Sequence, residues 1–553
     1  MKRYGHIDRD GYPLAAWIWG HRLRIGQHWM EYLLEFLNVL AGFDYELGQG
    51  IEGAAKQEYT RFTRLGLRRF VFYDEREKTR HPYDEAAREQ LLAALEQQID
   101  THDGDAQSGL ELARSLLRAF SAVEEQRSWF AKSLFPAHHN FLFWEALRKG
   151  ATKYKGRSVP AGTPPQMLDA DIAFDVRNFF ARGGELYYLM LSAGTEHDLG
   201  RRQRIAERLR SLLNEHNQAL GLLAQIIDQA WQTGPASDNG HDKTGRLGWL
   251  PDPECPLYVL IAEDVDAFLQ TDLDPLETLD MLAHLIGFHL TLYIYHRAHP
   301  QAAAARHADG SCWKACRPAL LIDAMEGADG GVIRGVSAAL FREQEARIVQ
   351  RGRDYVRQQV EAWADGVADG DLASRLDSEA RAYFNLGALH GRSLNPFTHR
   401  VDTLLAQFNN GSLDRDAFLA GYAEALTDLL LRDFRKNFLG VHRKLAKSVG
   451  FVAPRKGPSA RFVLGDNLLK ALTLANTSSE FGMTYDEFLA RLYERYGLVI
   501  GPVEAREAGL LERQRINVEY YHRNRLALLE KMKHAGLAVE YSDATAMVGG
   551  KAQ

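Results

Sequence analysis

The sequence predicts a mainly α, multidomain protein with a small internal β-sheet and a winged-helix-like C-terminal domain. Two general observations lead to this fold class. Over most of the 553 residues, apolar side chains recur at helical spacing, and only short runs are typical of strands. The chain is also too long for one simple core, because domains usually contain about 100–200 residues.

The longest apolar helical pattern lies at the middle of the chain, between Asp274 and Arg297. Asp274 is a suitable N-cap, and Pro275 fits the first helical position, where its missing N–H costs nothing. The pattern is apolar on nearly all sides, which predicts a helix buried in the core. A membrane span is excluded because four polar side chains interrupt the run before about 20 apolar residues are reached. These are Glu277, Asp280, His284 and His289.

Composition divides the chain into four segments. We expect a mixed, mostly helical N-terminal domain at 1–150 and a helical segment at 165–232. A central domain at 248–430 would contain the buried helix and short strands, and the C-terminal domain would occupy 431–553. The boundaries follow stretches rich in Gly, Pro and polar residues, such as TGPASDNGHDKTGRL.

Shorter patterns predict the elements around the central helix. A helix is expected at 27–41 and another at 83–98. Aromatic and β-branched residues predict a strand at 67–75. Short buried strands are predicted at 256–264 (PLYVLIAED) and 317–324 (RPALLIDA), which would form a small sheet beside the central helix.

Composition excludes several classes of function. A net charge of -6 gives no global signature of a nucleic-acid binder, so any basic footprint must be local. Three cysteines argue against a disulfide framework and for a reducing compartment. The start MKRYGHIDRDGYPL has no apolar signal region, so we expect a cytoplasmic protein. No cofactor is expected, because GxxxxGK[ST], GxSxG and a strand-linked GxGxxG are all missing from the sequence.

The C-terminal third carries the strongest local charge contrast. Between Arg432 and Arg461 there are nine Lys or Arg and one acid, Asp433, giving a formal charge of +8. The patterns that follow predict a helix in GDNLLKALTLANT, a helix in MTYDEFLARLYERYG and a long helix at about 511–534. A short extended tail comes next, and this order is that of a winged helix.

These basic side chains are candidate nucleic-acid contacts, because Lys and Arg release counterions when they bind phosphates. The candidates are Arg435, Lys436, Arg443, Lys444, Lys447, Arg455, Lys456, Arg461, Arg515, Arg523 and Arg525. The same charge would also suit a docking surface for an acidic partner subunit, or simply a solvated face. The sequence leaves these three interpretations open.

Two sets of residues have the composition of a metal site. Cys312 and Cys316, spaced four apart, lie downstream of His299 and His307, and four such ligands can close a tetrahedral zinc site. CxxxC is a weaker pattern than CxxC, so reduced cysteines are the preferred interpretation.

The second set consists of acids at the predicted strand ends. Glu263, Asp264 and Asp323 would hold two metal ions in a metal-dependent nuclease. A third cluster, the RGGE motif at Arg182–Glu185, predicts either an anion clamp or a structural salt bridge between helices.

Three segments carry a resemblance to a known group of proteins: RNFFARGGELYYLML, HRKLAKSVGFVAPRKGP and DEFLARLYERYGLVIG. They resemble segments of large helical accessory proteins encoded in bacterial anti-phage defence systems of the methylation- or phosphorothioation-associated type. The resemblance implies a non-enzymatic partner of an ATPase, methyltransferase or nuclease from the same operon, and it transfers no catalytic residue. We therefore expect a scaffold subunit that binds other subunits of that operon and possibly DNA, and that has no membrane contact. The alternatives are the nuclease and a purely protein-binding structural subunit.

Overall fold

The computed structural model describes residues 13–20, 23, 27–51, 53–72, 89, 92–97, 106–122, 132–144, 152–154, 157–159, 182–232, 243–252, 254–299, 317–325, 330–386, 391–454, 459–477, 482–541 and 545–549. Over these residues the protein is mainly helical and its strands are short. The predicted class, a mainly α chain with small sheets, is confirmed.

The bounded α-helices and strands among the described N-terminal residues follow in chain order. They are α1 (Pro13–Trp19), α2 (Trp29–Gly42), β1 (Glu58–Arg61), α3 (Leu65–Phe72), α4 (Ala106–Arg118), β2 (Thr152–Tyr154) and β3 (Arg157–Val159). Helix α2 matches the predicted helix at 27–41, and His28 and Glu31 form its capping box. The strand prediction at 67–75 is wrong, because α3 occupies most of it. Leu67, Phe70 and Val71 are buried at helical spacing. Most of the predicted helix at 83–98 lies outside the described residues.

The middle of the chain contains α5 (Gly183–Gly194), α6 (Leu199–Asn214), α7 (Gln218–Gln232), β4 (Lys243–Arg246), α8 (Pro256–Leu269), α9 (Pro275–Ala298) and β5 (Leu320–Leu321). Helix α9 confirms the predicted central helix, and the Asp274 carboxylate accepts the Leu276 and Glu277 N–H groups. The strand prediction at 256–264 is wrong, since this segment is the start of α8. The strand predicted at 317–324 is confirmed only over two residues.

Two glycines of α5 bring it close to its neighbours. A Cβ added at Gly184 would overlap the Tyr32 carbonyl oxygen of α2, and one added at Gly194 would overlap the Tyr258 carbonyl oxygen of α8. Helix α5 therefore packs backbone to backbone against both α2 and α8, which positions the buried polar residues of all three.

The helices that follow are α10 (Gly331–Ala364), α11 (Asp369–Tyr383), α12 (Gly391–Asn409) and α13 (Arg415–Phe434). A π-helical turn at Arg435–Leu439 continues directly into α14 (Gly440–Ser448). An antiparallel pair then joins β6 (Val452–Ala453) to β7 (Arg461–Phe462). The π-turn lies inside the basic segment, and such turns are frequent at functional sites.

The C-terminal elements are α15 (Asp466–Asn476), β8 (Met483–Thr484), α16 (Tyr485–Tyr496), β9 (Leu498–Val499), α17 (Pro502–Glu507), α18 (Leu510–Gln514), α19 (Val518–His534), β10 (Ala538–Glu540) and β11 (Ala546–Val548). Strands β10, β11 and β8 form an antiparallel sheet in that order. Strand β9 pairs in parallel with β5. The long helix predicted at 511–534 is broken, because Arg515 has a φ of 50° and ends α18 before Asn517 caps α19.

The apolar core is built around α9. One cluster of buried residues extends from Leu14 to Val548, and α9 supplies much of its centre. A smaller cluster joins α3, α4 and α7. Among the described helices, none combines the length and apolar character that crossing a membrane requires.

Candidate functional site

The basic segment forms one helical run through α13, the π-turn and α14. On α14, Lys444 and Lys447 are separated by three positions, so they share a helix face. Both are half-buried, and Arg435 at the start of the π-turn is exposed. Within the described part of the chain, none of these three side chains forms an ion pair. Three positive charges are therefore available to a ligand along this run.

Other basic residues of the segment are already neutralised. The Arg443 guanidinium of α14 contacts Glu345 of α10 through two hydrogen bonds, with Nη2 2.8 Å from Oε2. Arg461 Nε lies 2.5 Å from Asp323 Oδ2. These pairs attach the segment to α10 and to the residues after β5. Arg455 and Lys456 lie outside the described residues, as does the side chain of Lys436.

The three candidate arginines near α19 also differ in whether they contact an acidic side chain. Arg525 Nε donates to Asp486 Oδ1 at 3.0 Å, and Arg523 Nε lies 3.4 Å from Glu519 Oε1. Arg515 is exposed and forms no ion pair with a described residue. The exposed face of α19 also contains Glu519 and Glu530, so it has mixed charge. The unpaired positive charge is therefore greatest on the run through α14 and smaller on α19.

The acids of the predicted nuclease do not form a metal site in the described structure. Glu263 and Asp264 lie on α8 instead of at the end of a strand, and Arg495 of α16 contacts both. Asp323 follows β5, and its fully buried carboxylate contacts Arg461 and Arg334. No group of three His, Cys, Asp or Glu side chains among the described residues is arranged to hold a metal.

Of the zinc candidates, only His299 is described. It follows the last residue of α9 and is the C-cap of that helix. Burial and the Arg347 charge lower its pKa. Cys312, Cys316 and His307 lie outside the described residues, so their predicted spacing is not part of the described structure.

The structure instead shows a buried polar chain that connects four helices. Tyr187 Oη of α5 lies 2.9 Å from His289 Nδ1 of α9, and His289 Nε2 lies 3.0 Å from Asp264 Oδ2 of α8. Arg495 Nη2 of α16 donates to Asp264 Oδ1 at 2.5 Å and Nη1 to Glu263 at 3.0 Å. Because a carboxylate accepts hydrogen bonds, His289 Nε2 donates to Asp264, and in the neutral form of the imidazole Nδ1 then accepts from the tyrosine.

This order of groups resembles a proton relay, but its position gives it a structural role. The side chains of His289 and Asp264 are completely buried, and so is Tyr187. The sequence contains one signal for this buried polar chain. A charged or imidazole side chain on an apolar helix requires a buried partner. The sequence could not identify Tyr187 or Arg495 as those partners.

A second buried cluster contains the RGGE motif. Arg182 Nη2 lies 2.8 Å from Glu185 Oε1, so the motif forms a salt bridge, but this bridge joins the N-cap and the first turn of one helix, α5, and not two helices. Glu185 also accepts hydrogen bonds from the Gly248 N–H and the Tyr59 hydroxyl. Glu35 of α2 accepts the Gly184 N–H at 2.8 Å. Burial and the Glu185 charge raise the pKa of Glu35 to about 8.

This cluster predicts how stability changes with pH. Because the native state holds the Glu35 proton more tightly than the unfolded chain, the contribution of Glu35 to stability is fully present below about pH 4.5 and is lost as the pH rises towards 8.

Burial has the opposite consequence for the stability contributed by three histidines. It lowers the pKa of His296 and His442 to about 3 and that of His139 to about 4, so these contributions are lost as the pH falls below 6.5.

We therefore expect the free energy of unfolding to rise from about pH 4 to 6.5 and to fall between 6.5 and 8. The fall should be at most about 1.4 kcal/mol per pH unit, the value for one proton. Glu35→Gln keeps an acceptor for the Gly184 N–H and should abolish the fall. Urea unfolding across this pH range checks both statements, and an unchanged alkaline slope in the variant would contradict the assignment to Glu35.

Comparison with protein-family models, with curated proteins and with solved structures returned no match.

Proposed function

We propose that this chain is a non-enzymatic accessory subunit of a bacterial defence-type complex. It holds partner proteins and binds nucleic acid through its basic C-terminal region. Nucleic-acid binding is supported by which basic side chains of the segment form ion pairs. Lys444, Lys447 and Arg435 have no ionic partner among the described residues, whereas Arg443 and Arg461 do. Unpaired cations along one helical run can contact successive phosphates.

The two arginines that form ion pairs position the basic surface and do not bind the ligand. Arg443 and Arg461 attach the segment to Glu345 and Asp323, which lie on the body of the protein. An ion pair of this kind restrains the helix that carries Lys444 and Lys447. The unpaired lysines bind the ligand, and the paired arginines position the surface.

The proposal also assigns a winged-helix-like, separate terminal domain to the last part of the chain. The order α15, β8, α16, α19, β10, β11 and the sheet order β10–β11–β8 support this assignment. The chain departs from that pattern because β9, α17 and α18 lie between α16 and α19, where a helix-turn-helix has a turn of about 3–4 residues. Because the exposed face of α19 has both positive and negative charges, we propose that nucleic acid binds mainly to the α13–α14 run.

A purely protein-binding role is the second candidate. Leu526, Val539 and Tyr541 are each at least half exposed on the C-terminal elements, at 53%, 50% and 58%. Exposed apolar side chains close in sequence suit a protein partner. Both candidates are compatible with the defence-type accessory role, and they predict different results for nucleic acid.

Charge reversal separates the two candidates. The double variant K444E/K447E changes the charge by −4 and should weaken binding to a duplex DNA at least tenfold at about 0.1 M salt. The matched control R210E/R375E makes the same change on α6 and α11, where both guanidinium groups are exposed. It should bind nearly as the unmodified protein does. Fluorescence anisotropy with labelled DNA gives the affinities.

The outcome of that comparison decides the proposal. Equal weakening in the two variants would mean that only net charge matters, and the assignment of the surface would be wrong. If the unmodified protein does not bind DNA or RNA, the protein-binding role is favoured. In that case, Leu526→Asp should reduce the amount of partner that co-purifies from the native host.

A further inference from the structure

Arg351 of α10 is an ionised side chain in the interior of the protein. Only 8% of the residue is exposed. Its Nε is buried without a hydrogen-bond partner among the described residues, and its guanidinium carbon lies 5.7 Å from the centre of the Tyr355 ring. Within the described chain, no carboxylate lies within ion-pair distance of it. Since arginine stays protonated in proteins, burial of its charge without a paired carboxylate is unfavourable.

A second buried arginine lies on α9, the helix that packs against α10. Arg297, near the end of α9, has Nη1 3.2 Å from Asp252 Oδ2, and its Nε donates to the Ile18 carbonyl oxygen at 3.2 Å. Burial and the charge of Arg297 both lower the pKa of Arg351. Asp354, three residues further along α10, raises the pKa of Arg351 by its charge, but its carboxylate accepts from Gln350 at 2.9 Å and forms no ion pair with Arg351. Asp252 forms an ion pair with Arg297, whereas no carboxylate of the described residues forms one with Arg351.

The Tyr355 ring that Arg351 approaches carries one of two linked hydroxyl groups. Tyr355 Oη lies 2.7 Å from Tyr383 Oη, and the ring of Tyr383 stacks on Trp17 with a centroid distance of 4.2 Å. Residues of α1, α9, α10 and α11 therefore meet around Arg351. One of the two hydroxyls donates to the other, which leaves one O–H to donate to an oxyanion, and each guanidinium can donate two hydrogen bonds.

We propose that Arg351, with Arg297 of the adjacent helix α9, binds a phosphate group where α1, α9 and α10 meet. Phosphate fits better than a carboxylate because it offers three or four oxygens to two guanidinium groups and one tyrosine O–H. The site is separate from the basic α13–α14 run in its residues and in its burial. It would hold one small phosphate-bearing ligand that stabilises the junction of these helices.

The test uses the full chain and inorganic phosphate. Thermal unfolding is followed while phosphate replaces chloride at constant ionic strength. The unmodified protein should show a saturating rise in Tm of about 2–4 °C. R351M should show no saturating rise and should be at least as stable as the unmodified protein without phosphate, because the variant removes a buried charge that lacks a paired carboxylate among the described residues.

Two further variants keep the test decisive. R357M removes an exposed arginine from the same helix and should retain the full phosphate response. R351K keeps the charge without the planar fork, and its saturation should require at least tenfold more phosphate. If R351M does not fold, the comparison of R351K with R357M replaces it.

Two results would contradict the phosphate site. A rise in Tm that does not saturate and is the same in R351M and R351K would be the general effect of a salting-out ion, and the site would be wrong. Saturation by acetate but not by phosphate would also overturn the proposal. Repeating the titration with AMP identifies the source: tighter binding indicates a nucleotide, and equal or weaker binding indicates free phosphate.

Discussion

Replacing Asp264 with alanine is expected to lower the free energy of unfolding by about 3–5 kcal/mol. The Asp264 carboxylate is fully buried and contacts both His289 and Arg495. Without it, the Arg495 guanidinium keeps its charge inside the protein and loses its shortest contact. The imidazole also loses the acceptor that fixes its proton on Nε2. Urea unfolding followed by tryptophan fluorescence measures the loss, and hydrogen exchange should become faster in α16.

The neighbouring residue supplies a matched control. Glu263 contacts the same arginine at 3.0 Å, but 40% of its side chain is exposed. Because solvent screens an exposed pair, Glu263→Ala should cost less than about 1 kcal/mol. Equal losses for the two variants would mean that burial does not govern this cluster, and the structural role given to the buried chain would be wrong.

Replacing Gly194 with alanine should have the second largest effect. The added Cβ would overlap the Tyr258 carbonyl oxygen, and this neighbour is backbone, so it can move only if α5 and α8 separate. Overpacking of a well-packed site typically costs about 1–3 kcal/mol, and we expect the upper end or more for this site. The urea midpoint of the purified variant gives the value.

Gly200→Ala is the control for this substitution. Gly200 lies in the first turn of α6, and its nearest neighbours are side-chain atoms at 3.5 and 3.6 Å from the added Cβ. Alanine also has the higher helix propensity, so the variant should be neutral or slightly more stable. A loss of stability for Gly200→Ala as large as that for Gly194→Ala would show that the close approach of α5 to α8 is not the cause.

The part of the fold that the sequence predicts best is the part determined by local signals. Helix α9 begins at Pro275 after the Asp274 cap, as the sequence indicates, because a cap and an apolar period act over a few residues. The α16 helix is similar: Thr484 and Glu487 form a capping box, and Gly497 ends the helix with a φ of 75°.

Short apolar runs were the main source of error. The run in 256–264 is typical of a buried strand, but Leu257, Ile261 and Val265 also recur every four residues and are all buried in α8. Periodicity alone does not distinguish a buried strand from a buried helix over so few residues. The strand assignment had a consequence for function, because it placed Glu263 and Asp264 at a strand end where a metal site was expected.

The charge of the basic segment could be counted from the sequence, but its pairing could not. Arg443 and Glu345 are 98 residues apart, and Arg461 and Asp323 are 138 residues apart. Such contacts depend on how α10, α14 and β7 pack together. The same limit applies to the candidate phosphate site, where Arg297 and Arg351 come from different helices and no local pattern marks either of them.

The salt dependence of nucleic-acid binding tests the proposed function most directly. Each phosphate contact contributes about 0.9 to the slope of log K against log salt on duplex DNA. If Lys444 and Lys447 each contact a phosphate, K444E/K447E should lower that slope by about 1.8, and R210E/R375E should leave it unchanged. An unchanged slope in K444E/K447E, together with unchanged affinity, would contradict the assignment of nucleic-acid binding to the α13–α14 run.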